Sequence, residues 1–228
     1  MNEVLWISFA ITDLCIALML YRFFGKIGLF AVIVFNLLLC NLQVLKTVEL
    51  FGMTTTLGNI LYAGVFLATD MLSEFYGKRE AQKGVLLGFV TLVLMTAYMQ
   101  LALHFTPSID DFVQPHLEAI FGFLPRVAMA SMLAYLASQM HDVWAFHFWK
   151  KKTEGKMLWL RNNASTLVSH CIDSSIFCLI AFYGVFPTAV LVEIMITTVM
   201  FKAFVSVLDT PFIYLARRVH TMLPEHAH

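Results

Sequence analysis

The sequence predicts an all-α membrane protein: one domain over residues 1–228, a polytopic helical bundle of about seven (six to seven) transmembrane helices. Three observations predict it. Of the 228 residues, 60% are hydrophobic and only 13% charged, with mean hydropathy +0.78, against about 25% charged in an ordinary soluble domain. Several separate apolar runs reach the roughly 20 residues that cross a hydrocarbon core of about 30 Å. The basic residues fall between alternate runs, as cytoplasmic loops require. Too little of the chain is polar for disorder. The zero net charge excludes a strongly basic nucleic-acid binder. The runs lack the period-two alternation of strands or of a membrane barrel.

The expected spans are 4–24, 27–45, 57–75, 84–105, 117–148, 164–185 and 188–216. The first has no basic region before it and no cleavage-like site before Arg22, so it reads as a retained span rather than a signal peptide. Residues 50–57, with Gly52 and three threonines, read as an outside turn or a short re-entrant segment. A polar stretch, 106–116, separates the fourth and fifth spans. The fifth is too long for one straight crossing and is expected to tilt or break near Pro125, while Pro211 lies within the seventh. Arg22 and Lys26 follow span one. Lys78, Arg79 and Lys83 follow span three. Lys150, Lys151, Lys152, Lys156 and Arg161 follow span five, and Arg217 and Arg218 follow span seven. Twelve of the fifteen basic residues thus lie on one side. This places the N-terminus outside and the C-terminus in the cytoplasm of a cell (inner) membrane, with an odd number of crossings. The four cysteines all fall in apolar runs without metal-ligand spacing, so they read as core residues; no metal and no cofactor is expected.

Charged side chains inside these runs carry the functional reading. Each costs at least about 2.5–3.5 kcal/mol at the bilayer centre unless it has a partner or a wet cavity. Asp13, Asp70, Glu74, Arg126, Asp142, Asp173, Glu193, Lys202 and Asp209 all lie within spans, with the amide Gln139. Asp70 and Glu74 share a helix face. Gln139, Asp142 and Phe146 share another, and His170, Asp173 and Phe177 repeat the same offsets on the next span. Each of these two faces joins a donor–acceptor side chain, an acid and an aromatic ring, a set that suits a flat hydrogen-bonding heterocycle. Lys202 is deep from both ends of its span. Other readings stand beside these. Glu74 and Asp142 read equally as residues near the basic interface, Arg126 as a snorkelling side chain, Asp209 as a partner of Lys202, and Asp13 as a helix-packing group.

The motifs Ala68-Thr69-Asp70, Glu74-Phe75-Tyr76-Gly77-Lys78 and Arg126-x-Ala128-x-Ala130-Ser131-x-x-Ala134-Tyr135 occur in one order with Gln139-x-x-Asp142-Val143-x-x-Phe146, Trp159…Ser165-Thr166, Asp173-x-x-x-Phe177 and Phe201-Lys202. In these the sequence resembles the queuosine precursor transporters, the vitamin-uptake-like integral membrane family, from about Tyr62 to Tyr214. The resemblance implies import of 7-deazaguanine bases: the 7-cyano or 7-aminomethyl precursor, or queuine. The family often carries an amide where this chain has His170. A 7-deazaguanine edge sets an N–H beside an exocyclic amine, a fork for one carboxylate, next to a carbonyl that takes a cation or an amide donor. The candidates for the N–H edge are Asp70, Asp142 and Asp173; for the carbonyl, Gln139, Lys202 and Arg126; for stacking, Phe146, Phe177 and Tyr62. With Glu74, His170 and Glu193, these make up the expected substrate-binding set.

Two rival functions differ in class. An intramembrane enzyme would need a catalytic chain of hydrogen bonds, but Ser169 and His170 are neighbours on one helix and point about 100° apart, and no HExxH occurs. The reading is therefore not an enzyme. The other rival is the substrate-binding membrane subunit of a multi-component importer. This chain has no phosphate-binding loop, so ATP use would have to come from a partner. The expected partners are the small-molecule base and the lipid bilayer, with no nucleic acid; a small bundle of this kind has a possible homodimer as its assembly, with glycines such as Gly84 and Gly88 at close helix contacts.

Overall fold

The computed structural model describes residues 1–152, 158–208 and 210–221; the side chains of residues 139, 142, 143, 145–147, 149–167, 206, 207, 209 and 210 lie outside what it describes. Gln139, Asp142, Phe146 and Asp209 are among these. The described chain is almost entirely helical, in agreement with an all-α membrane bundle.

Helix α1 (Asn2–Gln43) is two helices joined at Gly25, whose φ of 54° and ψ of −135° leave the helical region. Only glycine adopts that conformation without strain. The two halves fold back on each other. Asp13 and Asn36 would stand about 35 Å apart on a straight helix, yet their side chains meet at 2.9 Å. These halves are the first two expected spans.

Next comes an element that the sequence reading did not expect. Strands β1 (Thr47–Leu50) and β2 (Met53–Thr56) pair antiparallel, with Thr47 opposite Thr56. Phe51 and Gly52 turn the chain with φ of 53° and 75°, the positive pair of a tight hairpin turn. Four-residue strands are too short to show an alternating pattern, but Thr47, Val48, Thr54, Thr55 and Thr56 are β-branched and favour a pleated backbone. A 3-10 turn, Leu57–Asn59, leads into α2 (Tyr62–Tyr76), and α3 (Lys78–Leu103) follows after Gly77.

The long fifth run is not one helix. It breaks into α4 (Gln114–Phe121) and α5 (Leu124–Lys152), at Gly122 and Phe123, just before Pro125. Pro125 falls in the first turn of α5, where its missing N–H has no helical acceptor to lose. Helix α6 is Leu158–Phe182 and α7 is Thr188–Leu208. The last run is described as α7 to Leu208 and as α8 over Thr210–His220, with residue 209 outside the described residues. Among the described residues, Asn2–Gln43, Lys78–Leu103, Gln114–Ser138 and Thr188–Val205 are long and apolar enough to cross a membrane.

Side-chain contacts define two ends. At one, Lys26 pairs with Glu80 at 3.2 Å, Arg217 with Glu74 at 2.7 Å, and the Tyr21 hydroxyl meets Nδ1 of His220 at 2.5 Å. His220 also stacks on Phe75 with ring centroids 4.3 Å apart. At the other end, Asn2 donates to the Glu49 carbonyl at 3.1 Å and Glu3 accepts from the Phe51 N–H at 3.2 Å. Asn2 and Glu3 therefore lie at the hairpin end, and Arg217 and His220 at the basic end.

Among the described residues there are three apolar cores, a small one joining α1, α3 and α5 through Leu37, Leu92 and Ala128, and two larger ones that meet inside. One joins α1, α2, α8 and the second half of α7 through residues such as Leu14, Tyr21, Leu67, Met71, Phe201 and Val205. The other joins α5, α6 and the first half of α7 through Val127, Ala130, Cys178, Phe182, Leu191 and Ile194. Within the first core, buried Asp13 accepts from both Asn36 and the Gly64 N–H, the latter at 3.0 Å. Asp13 is thus the packing residue that one of its readings made it. A Cβ on Gly64 would stand 2.3 Å from Asn36 Nδ2 and 2.4 Å from Asp13 Oδ2, so only glycine lets α2 come this close.

Candidate functional site

Where the two cores meet, α7 brings in a lysine. Lys202 is 3% exposed. Its ammonium donates to the Asp173 carboxylate of α6 and lies 4.6 Å from the centre of the Tyr62 ring of α2. A buried cation with one carboxylate and one ring face has its charge met from two sides. The Tyr62 ring sits at the start of α2, where the 3-10 turn sets the helix against α7.

Beside this group is a small cavity lined by Cys40, Asn41, Val44, Asn59, Tyr62, Ser131, Phe177, Thr198 and Lys202. It measures about 10 Å³, room for about one water molecule. Small-molecule pockets run to roughly 300–1,000 Å³, so a heterocycle enters only when the helices around it separate. Its walls come from α1, the 3-10 turn and α2 together with α5, α6 and α7. Across from the lysine, Ser131 donates to Asn41 Oδ1 at 2.5 Å, and the Asn59 amide donates to Thr198 Oγ1 at 3.4 Å. Thr197, next along α7, donates to the Thr54 carbonyl at 3.2 Å. This bond ties α7 to the hairpin, and among the described residues no hairpin residue lines the cavity.

The expected residues divide on this geometry. Phe177 and Lys202 line the cavity with Tyr62, and Asp173 joins them through its ion pair with Lys202. His170 lies one turn away on α6, its ring 5.6 Å from that of Phe66. Asp70 continues the α2 face that Tyr62 and Phe66 begin, and lines no part of the cavity. Glu74 stands at the basic end against Arg217. Arg126 caps α6: its Nε and Nη2 each donate at 2.6 Å, to the carbonyls of Ile180 and Tyr183. A guanidinium suits those carbonyls, which lack helical donors and carry the negative end of the helix dipole. Glu193 is half-buried near the hairpin end, nine residues before Lys202 and so on the opposite side of α7.

Ion pairs on the surface contribute little, about 0–1 kcal/mol. Glu74 and Arg217 have side chains 50% and 56% exposed. Glu74→Gln is accordingly expected to leave uptake within about twofold of the parent protein. A loss of tenfold or more in a transport assay would return Glu74 to the binding set.

Sequence reasoning missed the amides. Asn41 and Asn59 line the cavity, and Asn36 holds Asp13, yet all three are uncharged and drew no attention. The signal was present: Asn36 and Asn41 interrupt an otherwise apolar crossing, where a polar amide without a partner is costly.

Residues 56–216 match the family described as "Putative vitamin uptake transporter". The chain is 47% identical over 219 residues to the "Probable queuosine precursor transporter" of Bacillus subtilis (strain 168), covering 96% of each. This chain belongs to that transporter family. It is also 28% identical over 187 residues to the "Queuosine precursor transporter" of Escherichia coli (strain K12), covering 79% of this chain and 81% of the relative. No solved structure matches it. The match spans helices α2 to α7 and enters α8, and it contains Tyr62, Asp173, Phe177 and Lys202, with Asn41 of α1 outside it.

Proposed function

We propose that this protein imports 7-deazaguanine bases, the precursors of queuosine, through the cavity at Lys202, with the basic end facing the cytoplasm and the hairpin end outside. The observation that carries the reading is the pairing of Asp173 with Lys202 beside two aromatic rings. The edge of a 7-deazaguanine presents two adjacent N–H donors and a carbonyl acceptor. Asp173 accepts from the first two and Lys202 donates to the third, so the base replaces each partner of the ion pair with a matching group. Tyr62 and Phe177 are the rings between which it lies. The names of the relatives support the substrate class, and the two-core architecture supports a carrier that opens at one end and then the other. The inner bacterial membrane is the location this implies.

Purified protein in liposomes tests the reading. Time-dependent entry of labelled 7-cyano-7-deazaguanine is expected without any added partner. Tyr62→Ala is expected to raise KM about tenfold, since an aromatic contact contributes about 0.5–1.5 kcal/mol. Binding of the base without entry would instead favour a substrate-binding subunit that needs a separate energising complex. No binding at all would overturn the substrate assignment.

A further inference from the structure

Resting on that reading, a second property of the same path concerns its driving force. Among the described residues, most carboxylates on the crossing helices have a partner: Asp13 has Asn36 and Gly64, Glu74 has Arg217, Glu80 has Lys26 and Lys83, and Asp173 has Lys202. Glu193 and Asp70 have none. Glu193 is turned away from the cavity. Asp70 is not: Tyr62, Phe66 and Asp70 follow one another at intervals of four residues on one face of α2. The face leads from the cavity toward the basic end and opens as it goes. Tyr62 and Phe66 are half-buried, whereas Asp70, Ser73 and Glu74 are exposed. Asp70 lies six residues, about 9 Å, from the end of α2 at Tyr76, within the apolar run 57–75.

The ionisable groups around this face are few. From α6 comes His170, packed on Phe66, and beside it Ser169, bonded to His141 of α5 at 3.1 Å. From α7 comes Lys202, over Tyr62. From α8 comes Arg217, held by Glu74. Lys78, Arg79 and Lys83 begin α3 at the basic end, and Asp13 of α1 is occupied at Gly64 on another face of α2. No hydrogen bond or ion pair joins any of them to Asp70 among the described residues.

An ionised carboxylate without a counter-charge is disfavoured wherever apolar surroundings exclude water from it, and a proton removes that penalty. We infer that Asp70 carries a proton inward with each base, so that the protein is a proton–base symporter. One proton from water outside binds a carboxylate oxygen of Asp70. The neutral acid and the neutral base cross as the seam between the two cores rearranges. At the basic end the proton leaves to water, and Asp70 is again a carboxylate. No bond of the base is made or broken, and one positive charge moves inward per cycle.

Two assays on purified protein in liposomes test this, using labelled 7-cyano-7-deazaguanine. Counterflow, with unlabelled base inside and no ion gradient, measures recognition and crossing alone. Accumulation under a pH gradient, alkaline inside, measures coupling. The parent protein is expected to accumulate base up to about tenfold per pH unit, the ratio that one proton per base allows, and to lose this with a protonophore. Asp70→Asn is expected to keep counterflow within about threefold while accumulation falls to equilibration, and Asp70→Glu to restore part of the gradient response. Equal accumulation by the parent protein with and without the gradient would overturn the inference. So would gradient-driven accumulation by Asp70→Asn, or loss of base affinity in its counterflow, which would make Asp70 a ligand of the base. Absence of counterflow in the parent protein would instead sink the proposed function.

Discussion

Replacing Lys202 with methionine is expected to stop transport. Removing one partner of a buried ion pair costs about 3–5 kcal/mol, and each 1.4 kcal/mol or so is tenfold in an equilibrium. Uptake should therefore fall at least about 100-fold, and Asp173→Asn should act in the same direction. A stability loss alone would also reduce uptake, so a second variant separates the two. Lys202→Met combined with Asp173→Leu removes both charges together. An apolar pair of similar volume is often as stable as the ion pair it replaces. The double variant is expected to recover thermal stability in detergent without recovering uptake. Normal uptake by the double variant would show that the pair only holds helices α6 and α7 together.

The second large effect concerns Gly64. A valine there would need space 2.3 Å from the Asn36 amide and 2.4 Å from the Asp13 carboxylate. It would push α2 off α1 and break the bond from the Gly64 N–H to Asp13. Overpacking costs about 1–3 kcal/mol and a hydrogen bond to a charged group about 1.5–3 kcal/mol. For a chain of this size the sum corresponds to a fall in Tm on the order of 10 °C. Asp13→Asn keeps the glycine and one acceptor oxygen and should lose about half as much. Thermal unfolding in detergent checks both, and an unchanged Tm for Gly64→Val would mean that the close approach of α1 and α2 contributes nothing.

Much of this was legible in the sequence, for physical reasons. Apolar run length reports a helical membrane bundle directly, because hydrocarbon thickness acts on that quantity. Helical periodicity put His170, Asp173 and Phe177 on one face, and the structure sets Phe177 in the cavity wall and Asp173 on the lysine that lines it. What escaped depends on contacts between distant segments. Arg126 binds carbonyls 54 and 57 residues away, which no local spacing announces. Asp13 and Asn36 meet only because the chain reverses at Gly25. The hairpin was hidden by its brevity. The break at Gly122 falls where Pro125 suits the first turn of a new helix, and that signal located it.

One consequence follows from the way α7 is shared. Its first half packs in one core through Leu191 and Ile194, its second half in the other through Phe201 and Val205, and Thr198 and Lys202 stand near the crossover. Under the proposed carrier function, a rigid rod seated in two cores at once would act as their fulcrum. A tilt of a few degrees between those cores would move both ends of the rod by ångströms while its middle stayed nearly still, so cargo held there would change the side it faces without being carried any great distance.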